Sequence, residues 1–596
     1  MDKSGEKEIG RFMGFDEDYL LARSLVEETG QNVFLTGRAG TGKTTFLREL
    51  RQRGLKRMLV LAPTGIAAIN AGGSTLHSFF QLPFGLYLPG YRRRNRFRLG
   101  KDKIELMQKM ELMVIDEVSM LRSDLLDEVS GLLQRYRRDR RPFGGVQLLL
   151  IGDLQQLAPV VKEDEWAEMK NYYASPYFFD STALKTAGFQ IVELKHVYRQ
   201  KDREFIGMLE KIRQGILDED TWNKLSARYI PRFMPSSNEG YVILTTHNYQ
   251  ADKINDANVE ALPGAFSVYQ AKISGNFPES SFPTWQNLRF KPGAQVMFVK
   301  NDAGHRYYNG KIGRISRCEA DEVWVESEGE EIRVAPEKWE NMRYTIDPET
   351  KEIKETSEGS FSQLPLKLAW AITIHKSQGL TFDKVVVDAG RAFAHGQVYV
   401  ALSRCRSLEG LVLRSPLTQE ALAGDKQIEA FLRCADVGCD NWQLGKFKAD
   451  YQFGLLVEQF DFSAIWKLFQ DLRLLAAKFL LKQYPRLAED IAASEDRFET
   501  EIYRVGENFF KELCRLRQAD SEQQANRHQK AAVYFSNRLQ EIVMPLLSRL
   551  KVETNAVVVT KKLEAIQSEM KRLYQEKLRT LALLADCPVF SPADYL

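Results

Sequence analysis

Several short stretches of this chain are apolar at nearly every position and stop abruptly at polar residues or glycine. Asn32–Thr36, Met58–Ala62, the run from Glu111 into Ile115, Val146–Ile151 and Val385–Val387 have this form. A strand covered on both faces shows no alternation, so each run predicts a buried strand. Helix formers with an apolar stripe follow the first run, at Thr45–Leu50. Strands alternating with helices, with chemically active groups at the strand ends, predict an open parallel α/β sheet. From 264 to 360 the helical pattern gives way to short strands rich in glycine, among them QVMFVKND (295–302), YYNGKIGRISRC (307–318), EVWVESEG (322–329) and EIRVAP (331–336). This change predicts a small inserted β-barrel. Residues 450–587 read as helices with apolar stripes, as in FSAIWKLFQDLRLLAAKFLLKQY, without an internal repeat or a long low-complexity linker.

Length and composition narrow the class. A chain of 596 residues has room for three or four domains, and 44% hydrophobic with 27% charged residues is ordinary for a soluble protein. No apolar run reaches the roughly 18–20 residues of a membrane span, so no membrane partner is expected. The opening MDKSGEKEIG lacks a secretory apolar stretch, and a cytoplasmic location is expected, nucleoid-associated in a bacterium. Six cysteines are scattered, and only Cys434 and Cys439 lie close, with no second pair to complete a zinc set. Net charge is only +3 but uneven: residues 91–103, YRRRNRFRLGKDK, hold seven basic side chains against one acidic. Residues 135–141, RYRRDRR, hold five against one. Such blocks favour a polyanionic partner or form a solvated face.

The chemistry begins after the first strand. Gly37-Arg-Ala-Gly-Thr-Gly42-Lys43-Thr44 fits G-x-x-x-x-G-K-[ST] in its strand–loop–helix setting. Gly37, Ala39, Gly40, Thr41, Gly42, Lys43, Thr44 and Thr45 are the expected cradle for a nucleoside triphosphate: glycines let backbone N–H groups face a phosphate, and the helix adds its positive end. Lys43 would reach the outer phosphates and the Thr44 hydroxyl would hold Mg²⁺. A second buried strand ends in Asp116-Glu117, costly unless the carboxylates face a cation or do chemistry. Asp116 is expected to hold Mg²⁺, and Glu117 to position and deprotonate the attacking water. A third strand ends in Gly152-Asp153, followed by Gln155 and Gln156; Gln156 is the expected sensor of the terminal phosphate.

The Asp116-Glu117 pair, Gly152-Asp-Leu-Gln-Gln-Leu-Ala-Pro159 and YVALSRCRSLEGL (399–411) together resemble superfamily-one helicases of the 5′-to-3′ subgroup. More narrowly they resemble the Pif-type DNA helicases, relatives of the RecD-like enzymes. LAPTGIAAINAGGSTLHSFFQLPFG (61–85) and RPFGGVQLLLIGD (141–153) support this, and the motifs span 33–413. The resemblance implies two RecA-like P-loop lobes with parallel sheets and ATP between them, an inserted SH3-like β-barrel and a C-terminal helical domain. Residues 1–180 would form the first lobe, with a wedge-like insert at about 81–103. Residues 181–263 plus 361–435 would form the second lobe, 264–360 the barrel, and 440–596 an accessory domain for DNA or a protein partner. The resemblance itself stops near 440.

Arg199, just after a strand, and Arg404, on a helix beginning near Gly396, are expected to stabilise the transferred phosphoryl group when the lobes close; structural ion pairs are the other reading. AITIHKSQGLTFDKVVVD (371–388) puts polar residues at the mouth of a buried strand, as expected of a cleft lining. Gly379 and Gln378 would lie near the phosphates, with His375 and Ser377 toward nucleic acid. In the first lobe Pro63, Thr64, His77 and Phe80 would meet a single strand, Phe79 and Phe80 being equally readable as core. Arg92, Arg93 and Arg94 in the wedge-like insert, and the block from Arg135 to Arg141, would lie near DNA. No glutamine occurs between residues 11 and 30, where the family carries one that reads adenine, so hydrolysis is better specified than the base. The expected function is ATP-dependent unwinding of DNA by 5′-to-3′ movement on single-stranded and forked substrates, one copy at a time, in repair, recombination or replication. An ATP-gated clamp on single strands, or an RNA helicase, are the alternatives.

Overall fold

The computed structural model describes residues 17–586 except 39, 84, 90–98, 197–201, 217, 237–238, 280–281, 303, 305, 347–352, 389–395, 419–424, 436–437, 518–520 and 551–556. Two compact units divide the chain: one runs to Asp440 apart from Glu28–Gly30, and the other joins Glu28–Gly30 to the residues from Asn441 onward.

In the first unit, helix α1 (Glu17–Glu28) precedes strand β1 (Val33–Gly37), which runs into helix α2 (Lys43–Arg53). Strands β2 (Met58–Ala62), β3 (Ser74–Thr75), β4 (Leu112–Ile115), β5 (Gln147–Ile151) and β6 (Gln190–Leu194) complete a six-stranded parallel sheet of order β3-β2-β4-β5-β1-β6. All residues of β1, β4 and β5 are buried, as their unbroken apolar runs require of a sheet covered on both faces. The order places β4, β5 and β1 side by side, so the three chemically marked strand ends emerge together at one edge of the sheet. The expected boundary after residue 180 is corrected: β6 hydrogen-bonds along β1, with Gly37 opposite Leu194, so the first lobe continues to Leu194.

The second lobe opens with helix α3 (Arg203–Arg213). Its sheet holds β7 (Val242–Thr245) and three later strands. Between them lies the insert, where β8 (Gln295–Phe298), β9 (Ile312–Cys318), β10 (Val323–Ser327), β11 (Glu330–Val334) and β12 (Leu366–Leu368) form an antiparallel sheet of order β11-β10-β9-β8-β12. Alternating residues of β10 are buried, the mark of a sheet with one face on a core. A hairpin of residues 337–346 and 353–363 carries the insert past its expected end at 360. The chain then returns through β13 (Ala371–Thr373), β14 (Val385–Asp388), helix α4 (Gln397–Leu402) and β15 (Leu411–Leu413). The second parallel sheet has the order β13-β7-β14-β15. Phe205, Met208, Leu209 and Ile212 of α3 are buried in its core with Val385, Val387 and Tyr399, so α3 belongs to this lobe.

The second unit is helical: α5 (Asn441–Gln459), α6 (Ser463–Leu475), α7 (Pro485–Phe498), α8 (Arg504–Leu516), α9 (Ser521–Arg549) and α10 (Val557–Asp586). Phe462, Phe469, Phe498, Phe535, Leu539 and Met570 fill one core, matching the apolar stripes. No described helix is long and apolar enough to cross a membrane.

Candidate active site

The phosphate loop owes its shape to glycine. A side chain at Gly37, whose φ is +149°, would stand 2.7 Å from both the Leu194 carbonyl and Thr41 Oγ1. Gly40 and Gly42 also have positive φ, and Gly42 begins α2 without a side-chain cap. The first-turn amides of α2 are therefore left toward the loop, where an anion can take them. Lys43 bends back, its Nζ donating to the carbonyls of Gly37 (2.6 Å) and Arg38 (2.8 Å). Burial lowers the proton affinity of this amine, and the charges of Asp153, Glu117 and Asp116 oppose that. Thr41 is buried, with its hydroxyl donating to Arg38 O, whereas Thr44 is exposed and Thr45 half-buried. Ala39 lies outside the described residues.

At the end of β4 the chain turns sharply. Glu117 adopts a left-handed conformation (φ 52°, ψ 44°), which costs a non-glycine residue about 1–2 kcal/mol. Asp116 accepts the Glu117 N–H on Oδ1 at 3.0 Å. Burial raises the proton affinity of both carboxyls; for Glu117 the neighbouring Asp116 charge adds to it, and its pKa is pushed up to about 7. Lys43 and Arg404 pull the Glu117 value down. Two buried carboxyls thus stand side by side, with the charge of Lys43 acting on both. Thr44 and Asp116 offer the hard oxygen donors that Mg²⁺ takes, and in phosphate sites that ion needs only one or two protein ligands. Their chemistry fits the expected cofactor.

At the end of β5, Asp153 and Gln156 are buried, and Gln156 Nε2 donates to Asp153 Oδ2 at 3.2 Å. Gln378 arrives from the second lobe: its Nε2 donates to Glu117 Oε2 at 2.8 Å and to Gln156 Oε1 at 3.4 Å. A side chain at Gly396 would lie 2.1 Å from the Gln156 carbonyl, so this glycine permits α4 to abut the same loop. Arg404, fully buried, donates through Nε to Val400 O (2.9 Å), through Nη1 to Leu380 O (3.1 Å) and Ser377 O (3.3 Å), and through Nη2 to Ser403 Oγ (2.9 Å). It braces the 377–380 loop while its charge acts on Glu117. Gly379 is exposed with φ +79°. Arg199 lies outside the described residues.

Sequence reasoning missed two side chains of α3 that reach this site. Glu210 pairs with Arg38 of the phosphate loop at 2.5 Å, and Arg213 lies among Glu193 (2.9 Å), Asp153 (3.5 Å) and Glu210 (3.9 Å). Charges three apart on a helix read as a solvated face. No local signal sets Arg213 apart from a solvated charge, because its partners Glu193 and Asp153 come from other elements.

The residues expected to meet nucleic acid differ in exposure. Pro63 and Thr64 are partly exposed, with Thr64 Oγ1 accepting the Ala67 N–H as a helix cap. His77 and His375 are half-buried, and burial lowers the proton affinity of each. Two assignments are corrected. Phe80 is 2% exposed and packs edge-on against Phe79, so it is core rather than a stacking face. Ser377 is fully buried, its hydroxyl donating to Ile374 O at 2.7 Å, which turns it away from any strand. Arg92, Arg93 and Arg94 lie outside the described residues.

This geometry has counterparts. A PIF1-like helicase family profile matches residues 19–223, a UvrD-like helicase C-terminal domain profile 368–412, and a DNA helicase, middle domain profile 443–596. The last match covers the helical unit, in which the sequence shows no chemistry. The chain is 34% identical over 401 residues to the ATP-dependent DNA helicase PIF1 of Homo sapiens, covering 64% of this chain but only 58% of that protein. Among solved structures, Bacteroides sp Pif1 in complex with ADP-AlF4 aligns at 41% identity and TM-score 0.66, over 70% of this chain and 96% of that one. Bacteroides Pif1 bound to ssDNA aligns at 42% identity and TM-score 0.51, over 71% and 97%. With 41% identity over 96% of the Bacteroides sp Pif1 chain and a PIF1-like helicase profile matched over residues 19–223, the chain belongs to the PIF1-like helicase family.

Proposed function

We propose that the chain is an ATP-dependent DNA helicase that moves 5′ to 3′ on a single strand and parts the duplex ahead of it. The observation that carries this reading is the 2.8 Å hydrogen bond from Gln378 of the second lobe to Glu117 of the first, beside Lys43. A triphosphate held by Lys43 would touch both lobes, so its hydrolysis would alter how they meet. Glu117 takes a proton from the attacking water, Gln156 reports the terminal phosphate, and Arg404 stabilises charge as it develops. Thr44 and Asp116 would hold Mg²⁺, which would offset the negative charge of the phosphates. One copy acts on single-stranded or forked DNA in the cytoplasm, and the helical unit supplies a further surface for DNA or a protein partner.

Strand displacement tests the reading directly. Duplexes with a 5′ or a 3′ single-stranded tail are mixed with the protein and Mg²⁺, with and without ATP. Release from the 5′-tailed duplex alone, and only with ATP, is the expected result. ATP hydrolysis with ATP-dependent strand binding but no displacement would establish the clamp instead, and preference for matched RNA would overturn the choice of DNA.

Arg404→Lys separates bracing from catalysis only in part, because one ammonium cannot reach the four acceptors that the guanidinium bonds. Each buried carbonyl left unpaired costs about 1–3 kcal/mol. The variant is expected to melt several degrees lower and to lose about 10³-fold in strand-stimulated phosphate release. Wild-type melting with wild-type release would remove Arg404 from both roles.

A further inference from the structure

Helix α3 belongs to the core of the second lobe, yet its last turn lies against the first. Arg213, at its end, has a side chain only 11% exposed and bonds Glu193 of β6 at 2.9 Å. Its Nε stands 3.5 Å from Asp153 Oδ1, and that buried nitrogen has no hydrogen-bond partner. From Asp153 a continuous polar path leads inward: Gln156 donates to Asp153, and Gln378 donates to both Gln156 and Glu117. We infer that Arg213 is a positioning residue for hydrolysis, fixing through Asp153, Gln156 and Gln378 how Glu117 is held when the lobes meet.

The direction of the path follows from the chemistry of its members. An ionised carboxylate only accepts, so Asp153 requires the amide nitrogen of Gln156 to face it. The carbonyl of Gln156 must then face Gln378, which turns the Gln378 nitrogen toward Gln156 and Glu117. One oxygen of Glu117 is thereby engaged, leaving the other for water. Asp153 is buried and lies between two cations, Lys43 of the phosphate loop and Arg213, which reaches it from the opposite lobe. The partnerless Nε gives the path a second state: a shift of α3 by under an ångström would bring it to hydrogen-bond distance of Asp153. The same helix also holds the phosphate loop through Glu210 and Arg38, so a displacement of α3 is felt at both ends of the triphosphate site.

This inference rests on the proposed ATPase, so hydrolysis by the unaltered chain is measured first, with and without single-stranded DNA. Arg213→Gln, Gln378→Ala and the double variant are then compared for strand-stimulated kcat and for the Kd of a fluorescent ATP analogue. The expected result is a 10- to 100-fold fall in kcat for each single variant, analogue Kd within threefold, and a double variant no worse than the poorer single one. Asp153→Asn is a second arm that does not leave a buried charge alone. It removes the requirement on the Gln156 amide and is expected to lower kcat about tenfold with the analogue Kd unchanged. Losses that multiply in the double variant, or wild-type kcat in Asp153→Asn, would overturn the relay while leaving the proposed function intact. An unaltered chain that hydrolyses no ATP would remove both.

Discussion

Glu117→Gln is expected to bind ATP and single-stranded DNA within about threefold of the unaltered protein and to lose roughly 10²–10⁴-fold in turnover, the span that a positioned general base contributes. The substitution keeps shape and keeps an oxygen to accept the Gln378 N–H, so the cross-lobe hydrogen bond survives. What it removes is a basic oxygen beside the phosphates. Two pH measurements make the assignment specific. Burial, followed by the Asp116 charge, pushes the Glu117 pKa up to about 7, so the base form of the free protein accumulates only as pH rises through that value. kcat/KM for ATP should therefore climb between pH 6 and 8 in the unaltered protein, and that limb should be missing from the variant. Stability should move the opposite way. A carboxyl whose folded pKa is raised favours the folded state below its unfolded value, and that contribution is lost as pH rises through about 7. Glutamine has no charge to bury, so the variant should gain in melting temperature over the unaltered protein from pH 6 to pH 8. Normal turnover in the variant, or a pH limb shared by both proteins, would move the base elsewhere.

The parts of this site that are legible in the sequence are those set by local geometry. A buried parallel strand must be apolar throughout, and the first polar residues beyond it stand at the carboxyl edge of the sheet. Gly37, Asp116-Glu117 and Gly152-Asp153 are readable for that reason, and the strand order then brings their ends together. The helical unit is legible in the same sense, since its apolar stripes become its core.

Long-range pairing is not legible. Nothing in Gln190–Leu194 says which sheet it joins; its register with β1 decides that, and the boundary moves accordingly. The sequence leads one to expect Gln378 near the phosphates, but its partner Glu117 is 261 positions away, and no local pattern names it. Phe80 and Ser377 fail for a related reason. An aromatic or a hydroxyl beside a cleft motif can face into the cleft or into the body of its own lobe. Here Phe79 takes one and the Ile374 carbonyl the other. Arg213 shows the converse, a charge that looks solvated until three carboxylates from different elements surround it.

The second large effect concerns Lys43. Its amine fills the phosphate loop, bonding two carbonyls of that loop, and it faces Asp153, Glu117 and Asp116. A phosphate entering the loop exchanges those carbonyl contacts for charged oxygens, and a hydrogen bond to a charged group is worth about 1.5–3 kcal/mol. Lys43→Ala removes that contact and also the cation among the carboxylates, so the tetra-anionic ATP meets a site of its own sign. We expect ATP affinity to fall by at least about 100-fold, the equivalent of roughly 3 kcal/mol. Phosphate release and strand displacement should become undetectable. Nucleotide-free binding to a single strand, read by fluorescence anisotropy, should stay within threefold, because Lys43 is committed to its own loop rather than to the strand. The two carbonyls that lose a donor border an open loop, where water can replace it, so melting should shift by no more than a few degrees. A Lys43→Ala protein that still releases phosphate at a tenth of the normal rate would place hydrolysis at some site other than this cleft. One that loses strand binding together with ATP binding would show that the loop and the DNA path are a single surface.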